Sequence, residues 1–98
     1  MNHHEQATVT DRMRRGLLAF HDAQTSLLTA HRQIKNWQPA RVEAFWKAGG
    51  GHLEANARSA AAELSAAFKT FSAAGLVAEA SDQHLVREAR RQLAESAG

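Results

Sequence analysis

The chain contains no cysteine, and that single absence removes disulfides, thiolate catalysis and sulfur-ligated zinc. It also has no tyrosine and only one proline, Pro39. There is no excess of one charge: basic and acidic residues stand five to three through Asn36, four to three from Trp37 to Gly75, and three to four beyond. The formal net charge of +2 is therefore spread along the chain and forms no basic patch, so nucleic-acid binding is not expected. No alternating apolar run marks a strand. Uncharged stretches such as Thr70 to Ala78 fall far short of the roughly 20 apolar residues that cross a bilayer, and Met1 to Gln6 is polar, without the apolar run of a signal peptide. The expected location is cytoplasmic, or exported by a route that needs no cleaved signal.

What is present is helical periodicity. Steps of three and four from Met13 pass through Gly16, Phe20, Ala23, Leu27, Ala30, Ile34 and Trp37 without meeting a charge. The same rule from Trp46 passes through Gly50, Leu53, Ala57, Ala60, Leu64, Ala67, Phe71 and Ala74. A repeat averaging 3.5 residues keeps one apolar seam facing a partner helix. Between the two seams lie only Asn36 to Pro39. The expected fold is all-α: an antiparallel helical hairpin with helices at about 10–36 and 39–74 and a turn at 36–39. Thr10 would cap the first helix and a left-handed Asn36 would end it, with residues 1–9 frayed. Pro39 fits the first position of the second helix. After Gly75, which reads as a helix stop, Ser81 and Asp82 open a short amphipathic helix or tail at about 81–95, with Leu85, Val86, Ala89 and Leu93 on one side.

Gly49, Gly50 and Gly51 interrupt the second seam. Three helical glycines cost about 3 kcal/mol relative to alanine, yet the heptad phase carries through them, which favours a continuous helix with a close approach or kink over a break at 49–51. They carry no phosphate-loop spacing. The chain offers little chemistry. His3, His4, His21, His31, His52 and His84 are its six histidines, and no helical pair has the spacing of metal ligands on one face. No nucleophile motif or paired acid appears either, so no catalytic residue, metal or cofactor is expected.

Several apolar residues lie off both seams: Leu17, Leu28, Phe45, Ala61 and Phe68. A second apolar face on a small helical protein suggests either a partner surface or the seat of another helix. A 98-residue chain buries only roughly 60–65% of its unfolded surface. The expectation is therefore a dimer, homotypic or with a similar hairpin, forming a four-helix bundle through Leu17, Leu28, Phe45 and Phe68.

The stretch Trp37-Gln38-Pro39-Ala40-Arg41-Val42-Glu43-Ala44-Phe45 resembles the turn signature of the WXG family, hairpins of about a hundred residues associated with type VII secretion. Trp37, Ala40, Ala44 and Phe45 match that signature, while Pro39 stands where the family has glycine. Exported members commonly carry a tyrosine followed four residues later by an acidic residue after the second helix; here Ala78 and Asp82 hold those places. The resemblance implies a non-enzymatic protein that works by pairing, as a secretion substrate or as the partner that travels with one. Alternatives are a small cytosolic adaptor or secretion chaperone, and a regulator contacting nucleic acid through Arg12, Arg14, Arg15, Arg87, Arg90 and Arg91.

Overall fold

The computed structural model describes residues 2–97; Met1 and Gly98 lie outside the described residues. It is all-helical, with no strand among the described residues, and consists of three helices of which one is long and bent. Helix α1 spans His3–Ile34. The bent helix is built from α2 (Pro39–Phe45), a π turn (Trp46–Gly50) and α3 (Gly51–Ala73). Helix α4 spans Ala80–Ala97. The molecule measures 55 × 24 × 22 Å, and none of its helices is long and apolar enough to cross a membrane.

Helix α1 begins seven residues earlier than its periodicity implies. The Asn2 side chain accepts the Glu5 N–H at 2.8 Å, satisfying one of the unpaired donors of the first turn. Residues 3–9, read as frayed, are therefore helical, and Val9 packs against the core. Thr10 lies inside the helix. The other end also departs from expectation: Lys35 ends α1 in right-handed geometry, and among the described residues none other than glycine has a positive φ, so Asn36 does not supply a left-handed stop.

Helices α1 and α3 lie side by side in opposite directions. Near the start of α1, Arg12 bonds Glu63 (3.1 Å) and Thr70 (3.3 Å) of α3; near its end, His31 meets Trp46. Small residues bring the backbones close, and a methyl on Gly16 would lie 3.4 Å from the Leu64 Cα. Met13, Phe20, Ala30 and Ile34 of one seam and Ala57, Leu64, Ala67 and Phe71 of the other are buried.

The bent helix ends in a Schellman motif. Gly75 adopts φ +80°, its N–H donates to the Ser72 carbonyl and the Leu76 N–H to that of Phe71, while Leu76 folds onto the core. The chain then turns back into α4, which packs mainly on α3 and also touches α1. Val86 and Ala89 enter the core, flanked by Leu85 and Leu93. Arg90 lies over the Phe68 ring at 5.1 Å and reaches Ser65 Oγ at 3.4 Å. The end of α4 stands beside Leu27, Glu54 and Arg58 through Gln92 and Glu95. Beyond that level the molecule is only two helices thick.

Candidate interaction surface

The two-helix end carries three of the six phenylalanine and tryptophan side chains, including both tryptophans. Its geometry follows from the reversal. Trp37 N–H donates to the Ile34 carbonyl, Gln38 is extended (φ −63°, ψ 147°), and Pro39 starts α2 with the Arg41 and Val42 N–H groups donating to the Gln38 carbonyl. Helical spacing then stacks side chains one turn apart. The Arg41 guanidinium lies 3.9 Å from the centre of the Trp37 ring, and Phe45 presents its edge to Trp37 at 6.1 Å and 88°. Phe45 in turn meets Trp46 at 5.0 Å and 77°, and Trp46 reaches across to His31 of α1 at 4.9 Å. Each such contact contributes roughly 0.5–1.5 kcal/mol.

None of these side chains is fully buried. Trp37, Phe45 and Trp46 are half-buried, while His31 and Arg41 are exposed. Helix α2 buries no residue at all. Of the turn motif, Trp37 and Phe45 come together, whereas Pro39, Ala40 and Ala44 face solvent.

The glycine run does not break the helix. Gly51 N–H donates to the Trp46 carbonyl, closing a π turn over Trp46–Gly50. The three glycines differ in their surroundings. A side chain on Gly49 would meet nothing within 4 Å; on buried Gly50 it would collide with the Trp46 ring at 2.8 Å and with Phe45; on Gly51 it would lie 2.8 Å from the Trp46 carbonyl oxygen.

The residues read as a partner surface separate into two groups. Leu17 and Phe68 pack against the core that includes Val86 and Ala89 of α4, and off-seam Ala61 is wholly buried there. Within the single chain Leu17 and Phe68 lie against its own core, Phe68 beneath Arg90 of α4, and both stay half-buried. Leu28 stays 51% exposed, one turn before His31, and Phe45 is half-buried at the two-helix end. A second apolar patch, not anticipated from the sequence, lies at the opposite end: a groove lined by Met13, Leu17, Phe71 and Ala78, with Leu18 (57% exposed) and Val77 (86%) on its rim. The adjacent pair Leu17-Leu18 was its signal, since neighbours on a helix point about 100° apart and only one can face the core. Ala78, at the tyrosine position of the family's export motif, is buried, and its carbonyl accepts from Gln83 Nε2 at 2.8 Å.

All six histidines are exposed, and among the described residues no three of His, Asp or Glu gather as metal ligands. His31 lies against Trp46. Most of the arginines considered for nucleic acid are held by the chain itself. Arg12 is bonded to Glu63, Arg15 to Asp11 (3.0 Å), Arg90 to Ser65, and Arg91 to both Glu88 and Glu95. The Arg91 hydrogen bond holds the Glu88 carboxyl below its ordinary range, and the same two carboxylates raise Arg91. These are surface pairs on α4, away from the aromatic end. No protein-family model, curated protein or solved structure matches the chain.

Proposed function

We propose that this protein is non-enzymatic and acts by pairing, through its two-helix end, with a second copy of itself, in the manner of the WXG-type secretion hairpins that its turn resembles. The observation that carries the reading is the cluster of half-buried Trp37, Phe45 and Trp46 at the two-helix end, with Leu28 exposed one helical turn before His31. Aromatic side chains with rigid geometry and a partly wet surface are the residues that dominate protein contacts. Pairing of two such ends, each two helices thick, would give a local four-helix arrangement in which these rings become core. A sister chain of similar design would present the same kind of surface, and a role beside or within type VII secretion would follow from that pairing.

The test is sedimentation of the full chain at micromolar concentration. A dimer is expected, and Leu28→Asp should disperse it without loss of helix, because Leu28 is already exposed in the single chain. A parent that sediments only as a monomer, or a dimer indifferent to Leu28→Asp, would reject this surface. The groove at the other end, with exposed Leu18 and Val77, favours a second reading as an adaptor that holds a partner helix. Under that reading Leu18→Asp, and not Leu28→Asp, would abolish binding.

A further inference from the structure

We propose that Gly50 and Gly51 are positioning residues: by admitting a π turn they set the direction in which Phe45 and Trp46 point. The inference rests on the reading that these rings form the contact surface, and it names what aims them.

A π turn holds one residue more than an α turn. Everything before it is consequently rotated by about 100° and displaced by about 1.5 Å relative to an uninterrupted α-helix. Phe45 and Trp46 stand in that rotated frame. The turn is possible because two side chains are missing. The space a Gly50 side chain would need is filled by the Phe45 and Trp46 rings, and that of Gly51 by the Trp46 carbonyl, 2.8 Å from the Cβ position. Neither glycine is needed for its backbone angles: Gly50 (φ −61°, ψ −30°) and Gly51 (φ −59°, ψ −29°) are ordinary right-handed residues. Room for the rings and the carbonyl is what they supply, and Gly49, with no neighbour within 4 Å, supplies none. Helix α2 buries no residue, so no core contact opposes its rotation. The turn sets where the rings face, and the contacts of Trp46 with His31 and of Phe45 with Trp37 form on that face.

The experiment uses the full chain. Trp37→Phe leaves Trp46 as its only indole, read by emission maximum and acrylamide quenching, with helix content followed by circular dichroism. Gly51→Ala places a methyl against the Trp46 carbonyl and should drive the turn to α geometry. Helix content should hold while Trp46 emission moves to the red and quenching rises. Deleting Gly49 in the Gly51→Ala chain removes the extra residue, so an α turn then returns Trp46 to its original face and both optical values to those of the parent. Gly49→Ala alone should change neither. Parental emission in Gly51→Ala, or failure of the deletion to restore it, overturns the inference. If Gly51→Ala loses its helix, deletion of Gly49 alone decides. A π turn tolerates that loss with parental emission, whereas an ordinary helix would turn and change it, and a changed value overturns the proposal.

Sedimentation of the same substitutions with Trp37 present tests the purpose of the aim. Gly51→Ala should weaken self-association by about tenfold or more, as loss of an aromatic anchor does, and the added deletion should recover it. Association that stays parental while emission shifts overturns the link between aim and contact. A parent that does not associate removes the pairing reading, and the optical measurements still decide the register.

Discussion

At the scale of single residues, Trp37 shows how partial burial limits energetic weight. A tryptophan enclosed in a core loses about 3–5 kcal/mol on truncation to alanine, but this ring is only half-buried, between the Arg41 guanidinium and Phe45. Trp37→Ala should therefore cost about 1–2 kcal/mol by chemical denaturation, near half the core value. Fully buried Phe20→Ala, measured beside it, should cost about twice as much or more. Glu88 gives a residue-scale dependence on pH. Its folded pKa lies below the ordinary value of 4.5 because Arg91 hydrogen-bonds the carboxylate. The unfolded chain thus takes up the proton first as pH falls, so the pair adds stability above about 4.5 and loses it as pH drops through the lower folded value. Thermal melts should show Glu88→Gln slightly less stable than the parent at neutral pH and equal to it near pH 2–3. The gap should be small, since both groups are partly in water.

At the scale of elements, α4 is decisive. It presents Val86 and Ala89 to the core against which Leu17 and Phe68 pack, and lays Arg90 over the Phe68 ring. Val86→Asp should undock it, and limited trypsin digestion should then cut first at Arg87, Arg90 and Arg91 while the fragment ending before α4 persists. If those sites stay protected, α4 is held by something other than its apolar side. This element also marks where sequence reading reached its limit. Seam residues such as Phe20 and Leu64 were legible because a 3.5-residue period states which side is buried. The period also singles out Leu17 and Phe68 as off-seam, but it is silent on whether the second face meets a helix of the same chain or of another. Nor does periodicity see a cap: α1 extends to His3 because Asn2 bonds Glu5 N–H, although residues 3–8 have no apolar pattern. The glycine run was legible as an anomaly. Its solution as a π turn was not, because that depends on where two aromatic rings and one carbonyl come to rest. Of the candidate surface, Trp37 and Phe45 were legible from the turn motif and Leu28 as an off-seam residue, while Trp46 was assigned wholly to the seam and Val77 drew no attention.

At the scale of the whole molecule, the difference in helix length sets the design. Helix α1 has 32 residues and α4 has 18, about 48 Å against 27 Å at 1.5 Å per residue. The shorter helix seals the part of the core that holds Met13, Phe20, Leu64, Phe71 and Val86, and the two longer arms continue past it. Because the projecting section shares no side chain with that sealed core, its length is an independent variable. Seven residues inserted in α1 after Ala30, matched by seven in α3 after His52, should preserve the phase of both arms and extend the projection by about 10 Å. The melting transition of the extended chain should stay within a few degrees of the parent, whereas a matched pair of four-residue insertions, out of heptad phase, should lower it. The fold thus separates a foundation from a boom. Changes to how far the aromatic end reaches can accumulate without a compensating change in what keeps the chain folded.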